Sequence, residues 1–224
     1  MSNITRGILF DLDGTLIDTA QDMTEVLLKM IEKYHGDRSV TRDIARNYVS
    51  DGSIGLINIG FPLASKNEVM ELQKIYLKLY QDNLCIDSNF FHPLEKLLDD
   101  LEENQIQWGI VTNKPTRMTL PLLIALKRLT PFVISGDTIR NRKPNPLPLI
   151  LACEMMNIHP ENTIYVGDAE RDIVAGKAAR MKTIVAQYGY INRGNKTSDW
   201  NSDFTAKTPE DLSEKIRSEL NLCL

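Results

Sequence analysis

The sequence has 224 residues, and its 26 lysines and arginines against 30 aspartates and glutamates leave a formal net charge of −4. Hydrophobic residues make up 42% of the chain and charged residues 25%, which is typical of a globular protein that folds without disulfides or a structural metal. The slight acidity argues against a nucleic-acid or anionic-membrane partner, since both require an excess of basic residues. No apolar stretch approaches the roughly 20 residues of a membrane span.

The cysteines and the first residues indicate the cellular environment that we expect. Cys85, Cys153 and Cys223 are odd in number and share no CxxC spacing, which favours reduced thiols. The N-terminus lacks the basic-then-apolar pattern of a secretion signal, since Arg6 precedes only four residues before Asp11. We therefore expect a cytoplasmic protein.

In chain order, the first half predicts one short strand followed by helices. Residues 7–10 are an apolar run that stops at Asp11, as a buried strand with a loop at its carboxyl end does. Apolar residues recur at helical spacing over residues 23–34, where Asp18 or Thr19 can cap the helix, and again over residues 69–80. Between these two helices lie a polar segment and a glycine-punctuated stretch.

The second half alternates strands with helices. We predict strands at residues 106–111, 132–134, 163–166 and 183–186, and helices at residues 116–128, 146–156, from the 167–172 loop to about 180, and from Thr208 onward. Such alternation is typical of a parallel sheet covered on both faces, and the 7–10 strand has to join that sheet. The sequence therefore predicts an α/β core, residues 1–15 and 88–224, interrupted by a helical insertion at residues 16–87.

Polar side chains follow four of the predicted strands, where ligands bind in open α/β sheets. The chemistry-bearing residues at these ends are Asp11, Asp13, Thr112, Asn113, Lys114, Lys143, Asp168 and Asp172. This set of residues suits phosphoryl chemistry. Carboxylates alone would repel a phosphate dianion, but Mg²⁺ prefers carboxylate and phosphate oxygens as ligands, and a bound Mg²⁺ would reverse the local charge. One carboxylate could then attack phosphorus, and a second, two residues further on, could protonate the leaving alcohol. Thr112 and Lys143 could donate to the phosphoryl oxygens.

Four segments carry these residues in a recognisable order. They are residues 11–18 (DLDGTLID), 111–113 (VTN), 143–146 (KPNP) and 167–172 (GDAERD). In this order they resemble the four motifs of the haloacid dehalogenase superfamily of phosphatases, with a Rossmann-like core. The resemblance covers the core from Asp11 to Asp172, and the insertion resembles the helical C1-type cap that closes over the substrate.

The resemblance implies a role for each motif residue. Asp11 would be the nucleophile and a Mg²⁺ ligand, and Asp13 would be the general acid and base and a ligand through its carbonyl. Thr112 would bind phosphate, with Asn113 in support, and Lys143 would orient the nucleophile and the phosphate. Asp168 would bind Mg²⁺, and Asp172 would hold the metal's waters or Lys143. In the cap, Ser50, Asp51 and Gly52 would contact the leaving group, and Lys114 is a candidate anion contact at the rim.

The expected reaction is Mg²⁺-dependent hydrolysis of a small phosphorylated metabolite through an aspartyl-phosphate, by a monomer or homodimer. Within the superfamily the chain resembles the phosphoglycolate phosphatases. Residues 49–52, 83–85, 167–172 and 188–191 are similar, more closely still, to the N-acetylmuramic acid 6-phosphate phosphatases, and 2-phosphoglycolate phosphatase proper is the alternative. Two other functions remain open: a phosphotransferase resembling β-phosphoglucomutase, and a phosphate-binding regulator without turnover. An intact Asp13 argues against the regulator, because a binder needs no acid there.

The turn after the helix that follows the fourth motif departs from the family pattern. Relatives often have glycine at this turn, whereas this chain has Arg180. If Arg180 takes a left-handed conformation, we expect a cost of about 1 kcal/mol relative to glycine.

Overall fold

A parallel six-stranded sheet forms the centre of the molecule in the computed structural model, which describes residues 6–192 and 194–222. The strands of the described residues are, in chain order, β1 Gly7–Phe10, β2 Ile17–Asp18, β3 Asn89–Phe90, β4 Gln107–Val111, β5 Val133–Ile134, β6 Thr163–Gly167, β7 Lys182–Ala186 and β8 Phe204–Ala206. The sheet order is β5-β4-β1-β6-β7-β8. Strand β1 therefore lies between β4 and β6, with Leu9 opposite Gly109 and Tyr165.

The helices cover both faces of the sheet. Their bounds are α1 Ala20–Lys33, α2 Arg42–Arg46, α3 Gly52–Gly60, α4 Lys66–Asp82, α5 Leu94–Glu103, α6 Thr116–Ala125, α7 Leu147–Met156, α8 Glu170–Ala178 and α9 Pro209–Leu220. Successive strand residues point to opposite faces, so Ile8 and Phe10 pack with α5, α6 and α9, while Leu9 packs with α7 and α8. This two-sided burial explains why the strands read as apolar runs rather than as alternating patterns.

Helices α1 to α4 form a second core of their own, which we call the helical insertion. Residues on α1, α3 and α4, among them Met30, Leu56 and Tyr76, make one buried apolar cluster. Met118 and Tyr190, which come from outside the insertion, complete this cluster, so the insertion is packed onto the sheet domain. The chain enters it through β2 and leaves it through β3, and these two short strands pair antiparallel, with Ile17 opposite Phe90.

The sheet confirms the predicted fold class, and the differences from the predicted elements have local reasons. Strands β2, β3 and β8 have two or three residues each, too few for a periodic signal. The stretch that contains three glycines, at residues 52, 55 and 60, forms helix α3, because Leu56 and Ile57 are buried against α1 and α4. The predicted limits of the insertion, residues 16–87, stay a prediction, although β2 and β3 pair close to both ends.

Two observations concern the membrane and the cysteines. None of the described helices combines the length and the apolar character that crossing a bilayer requires. Cys85 and Cys153 are free thiols, and Cys223 lies outside the described residues.

The turn between α8 and β7 contains a strained residue. Arg180 has φ +62°. This is the left-handed conformation for which we expect an energetic cost relative to glycine. Its guanidinium lies 3.6 Å from Glu161, but both side chains are well exposed, and such a surface pair stabilises a fold little. The backbone cost is therefore not offset by the side chain.

We expect Arg180→Gly to raise the free energy of unfolding by about 1 kcal/mol, because glycine adopts positive φ without steric cost. Urea-induced unfolding measures the change. Arg180→Ala is the matched control, since it removes the same side chain and keeps the backbone penalty. An equal gain in both variants would contradict this account.

Candidate active site

The carboxyl ends of three adjacent strands, β4, β1 and β6, meet at one edge of the sheet. Three of the four motifs follow these strand ends directly, and Lys143 lies in the loop after the neighbouring strand β5. Buried polar side chains collect there: Asp11, Thr112, Lys114, Lys143, Asp168 and Asp172. The structure therefore brings the sequence-predicted core residues together.

Three carboxylates lie at the centre of this edge. Oxygen atoms of Asp11, Asp168 and Asp172 all lie within 4.8 Å of one another, and the three side chains are almost completely buried. The Lys143 Nζ atom lies 2.8 Å from Asp11 Oδ1 and 2.8 Å from Asp172 Oδ1. Three negative charges thus share a buried space with one closely paired ammonium.

Burial and mutual repulsion shift the acidity of this cluster. Burial raises the pKa of Asp11 above its ordinary value, although Lys143 opposes the rise, and the neighbouring Asp172 adds to it. Burial, followed by repulsion from Asp11 and Asp172, raises the pKa of Asp168 to about 7. Without further positive charge, the cluster holds its negative charge poorly near neutral pH.

A divalent cation fits this donor set. The Oδ1 atom of Asp168 is buried and has no hydrogen-bond partner among the described residues. Clustered carboxylate oxygens are the ligands that Mg²⁺ prefers. Asp172, predicted to act in support, belongs to the carboxylate cluster itself, whereas the predicted metal contact of Asp13 through its carbonyl stays a prediction.

Lys143 is held in place by strand β6 and by the loop after β4. Its ammonium donates to the Tyr165 hydroxyl at 2.8 Å, and that hydroxyl also contacts the main chain at Val111. The Asn113 side chain donates to the Lys143 carbonyl at 3.0 Å and accepts from the Lys143 amide at 3.1 Å. Asn113 therefore fixes the Lys143 backbone, which is a positioning contact.

Asp13 lies beside a second lysine. Its Oδ1 atom accepts from Lys114 Nζ at 2.8 Å and from the Thr19 hydroxyl at 2.6 Å. The sequence suggested Thr19 as a helix cap, but its hydroxyl is used by Asp13, and Asp18 Oδ1 accepts from the Ala20 amide instead. A residue with ordinary capping chemistry is therefore part of the site.

The DxDG loop needs its glycine because it runs against the carboxylate cluster. Gly14 has φ +77°, and a Cβ atom built there would lie 2.2 Å from Asp168 Oδ2. Any side chain at this position would displace Asp168. The glycine of the first motif therefore serves close approach as well as the turn.

The helical insertion reaches the cluster through Ser50. The Ser50 hydroxyl donates to Asp168 Oδ2 at 2.6 Å, and the Ser50 carbonyl accepts from Arg171 Nη2 at 2.6 Å. Asp51 ends a short 3₁₀ helix, and α3 begins at Gly52. Ser50, Asp51 and Gly52 thus all lie at the site, and Ser50 forms a hydrogen bond directly to Asp168, the candidate metal ligand.

A cavity of about 550 Å³ lies between the sheet edge and the insertion. Asp11, Asp13 and Thr112 line it, and Arg117 and Arg142 contribute cationic side chains. The predicted residues Ser50, Asp51, Gly52, Asn113 and Lys114 line it as well. A cavity of this size is within the range that accommodates metabolite-sized ligands.

Besides Thr19 and Arg117, further residues of the site were not predicted from the sequence. Tyr80 occupies an apolar position of the α4 pattern, yet its hydroxyl accepts from Lys114 Nζ at 2.9 Å. Tyr165 lies inside a strand, and Arg171 lies within a quoted motif without an assigned role. Periodicity marks the tyrosines as core residues, and it carries no information about where a hydroxyl points.

Comparisons with known proteins agree with this arrangement. The family described as haloacid dehalogenase-like hydrolase matches residues 8–186. The chain is 34% identical over 221 residues to the N-acetylmuramic acid 6-phosphate phosphatase of Pseudomonas putida, covering 97% of this chain and 99% of that protein. It is 37% identical over 211 residues to the phosphoglycolate phosphatase of Xylella fastidiosa, covering 93% and 91%.

Solved structures share the fold at lower identity. A crystal structure from Haemophilus somnus, described as a predicted phosphoglycolate phosphatase, aligns with a TM-score of 0.83 at 21% identity, covering 96% of this chain and all of that one. The β-phosphoglucomutase of Clostridium difficile aligns with a TM-score of 0.71 at 20% identity, covering 96% and 97%. With the family match over most of the chain, these findings show that the protein belongs to the haloacid dehalogenase-like hydrolase family.

Proposed function

We propose that this phosphatase hydrolyses a sugar phosphomonoester through an aspartyl-phosphate on Asp11. The observation that carries the proposal is the buried cluster of Asp11, Asp168, Asp172 and Lys143, with Asp13 on the same loop as Asp11. This arrangement supplies a nucleophile, a cation beside it and a second carboxyl group for proton transfer. Residues 16–87 would act as the cap that closes over the substrate.

The chemistry that we assign to the residues has two steps. An oxygen of Asp11 attacks phosphorus, the bond from phosphorus to the leaving oxygen breaks, and Asp13 gives that oxygen its proton. The Asp13 carboxylate then takes a proton from a water that attacks the aspartyl-phosphate, which releases phosphate and restores both side chains. Thr112 and Lys143 donate to the phosphoryl oxygens, where negative charge develops.

Mg²⁺ is the cofactor that we propose, held by Asp11 and Asp168 with Asp172 close by. When bound, it would offset the carboxylate charge and stabilise charge on the transferring phosphoryl group. The buried Asp168 Oδ1, which has no hydrogen-bond partner among the described residues, is a ligand atom ready for this role.

N-Acetylmuramic acid 6-phosphate is the substrate that we propose, and 2-phosphoglycolate is the alternative. A relative named for the former is similar over nearly its entire length. The 550 Å³ cavity is large for a two-carbon phosphate and suits an amino sugar with a lactyl ether. Arg117 and Arg142 line this cavity and offer cations for the lactyl carboxylate.

Asp11→Asn should abolish Mg²⁺-dependent phosphate release, with a loss of about a thousandfold or more, because an amide oxygen is not a competent nucleophile. Steady-state release of inorganic phosphate measures it. The exposed Asp199→Asn is the matched control and should keep full activity. Wild-type turnover of a sugar phosphate into an isomer without phosphate release would support phosphotransfer instead.

Stabilisation by Mg²⁺ should grow as pH rises through about 7. The pKa of Asp168 is raised in the metal-free fold, so that fold gains from the bound proton at low pH and loses this gain as pH rises through about 7. Mg²⁺ binding needs the deprotonated carboxylate and compensates for its charge. Melting temperatures with and without Mg²⁺ should therefore differ more at about pH 8 than at about pH 6.

Asp168→Asn is the control for that measurement, since it should flatten the pH dependence of the metal-free melting temperature. An equal Mg²⁺-induced shift at both pH values would contradict the assignment of Asp168 as a ligand.

Catalytic efficiency on N-acetylmuramic acid 6-phosphate should exceed that on 2-phosphoglycolate by about tenfold or more, because more of the cavity is filled.

Arg117→Met should lower kcat/KM roughly tenfold on N-acetylmuramic acid 6-phosphate. It should leave kcat/KM unchanged on N-acetylglucosamine 6-phosphate, which lacks the lactyl carboxylate. Arg140→Met, an exposed arginine that does not line the cavity, is the control. Equal and poor rates of the wild type on all three phosphomonoesters would refute the proposed substrate, while the proposed reaction class would stand.

A further inference from the structure

Lys114 occupies a position that the reaction as described does not use. Its side chain is 4% exposed, and its ammonium lies 2.8 Å from Asp13 Oδ1. Burying an ammonium costs free energy unless its N–H donors have partners, so the partners of Lys114 indicate its role. Those partners are a carboxylate of the sheet domain and a hydroxyl of the helical insertion.

The second partner is Tyr80, near the end of helix α4. The Tyr80 hydroxyl accepts from Lys114 Nζ at 2.9 Å, and the ammonium lies 4.6 Å from the centroid of the Tyr80 ring. Tyr80 is 1% exposed and belongs to the buried cluster of the insertion. Lys114 is thus fixed from both sides of the cavity.

The two lysines of the site have separate environments. Lys143 forms ion pairs with the proposed nucleophile Asp11 and with Asp172, so it already supplies the cation at the phosphoryl group. Lys114 instead forms an ion pair with the proposed general acid, Asp13. Two of its three N–H donors are used by Asp13 and Tyr80, which makes it poorly suited as a primary phosphate ligand.

The contacts at Asp13 orient its carboxyl group. Lys114 and Thr19 both donate to Oδ1, which leaves Oδ2 to carry the proton to the leaving oxygen. Proton transfer of this kind contributes about 10²- to 10⁴-fold to rate only when donor and acceptor are aligned. The alignment here depends on an ammonium that the insertion itself holds through Tyr80.

Resting on the proposed function, we propose that Lys114 is a positioning residue that couples the general acid Asp13 to the helical insertion through Tyr80. When the insertion covers the site, the Tyr80 hydroxyl fixes the ammonium and Lys114 fixes Asp13 Oδ1. Proton donation to the leaving group is therefore efficient in the covered state, while attack by Asp11 does not depend on this contact.

The test compares leaving groups, because a poor leaving group needs the proton and a good one does not. Wild type, Lys114→Met and Tyr80→Phe are assayed with Mg²⁺ on N-acetylmuramic acid 6-phosphate, whose leaving group is an alkoxide, and on p-nitrophenyl phosphate. For Lys114→Met we expect kcat to fall about a hundredfold on the sugar phosphate and less than about fivefold on p-nitrophenyl phosphate. For Tyr80→Phe, which keeps the ring and the ammonium, we expect about a tenfold fall on the sugar phosphate alone.

Two further variants make the test specific. Tyr76→Phe is the matched control on the same helix, since its hydroxyl donates to the Met23 carbonyl at 2.8 Å and not to Lys114. It should leave the ratio of the two rates unchanged. Lys114→Arg, which keeps a cation beside Asp13, should recover part of the loss. If Lys114→Met fails to fold, Tyr80→Phe carries the comparison, because it retains the ion pair.

Three outcomes would overturn the proposal. Equal losses on both substrates would indicate a general structural role, and a raised KM with unchanged kcat would indicate substrate binding. An unchanged ratio in Tyr80→Phe would remove the insertion from the coupling. Failure of the proposed function is distinct, since the wild type would then release no phosphate from either substrate in the presence of Mg²⁺.

Discussion

Repulsion among three buried carboxylates is the constraint on which the rest of the site depends. Asp11, Asp168 and Asp172 have oxygens within 4.8 Å of one another in a space that water hardly reaches. Ionised carboxylates this close and this desolvated destabilise a fold unless cations and donors surround them. Lys143 supplies that compensation to Asp11 and Asp172, while burial and repulsion from these two carboxylates raise the pKa of Asp168 to about 7.

Both the strand-end loops of the sheet and the helical insertion build the surroundings of this cluster. The sheet order places β1 between β4 and β6, so their loops deliver Asp11, Lys143's partner Asn113 and Asp168 to one edge. Gly14 allows the first loop to approach Asp168, and the insertion adds the Ser50 hydroxyl to the same carboxylate. The proposed cation and the helical insertion would therefore meet at the same carboxylate, Asp168.

The sequence was most informative where one strong local signal was enough. Buried strands such as β1 and β6 are continuous apolar runs, and the polar residues after them belong to ordered motifs, so both the α/β fold and the gathering of these residues at one edge were predictable. Helix α3 was not, because its glycines oppose helix formation and its burial against α1 and α4 overrides them.

Side-chain contacts within the site could not be predicted from one sequence. Thr19 has capping chemistry but donates to Asp13, and Tyr80 has the spacing of a core residue but holds Lys114. The first contact depends on the path of the loop between β1 and α1, and the second on how the insertion packs against the sheet. Arg180 was predictable in part. The absence of a glycine at this turn was visible in the sequence, whereas the positive φ of Arg180 follows from the tight turn between α8 and β7.

The pairing of β2 with β3 places the start and the end of the helical insertion side by side. A segment whose ends are adjacent can be lengthened, shortened or exchanged without moving the strands that it interrupts. The strand-end loops of the sheet and the helical insertion are thus structurally separable. In the function that we propose, replacing the module between two short strands would change the leaving-group preference, while phosphoryl transfer would stay with the sheet.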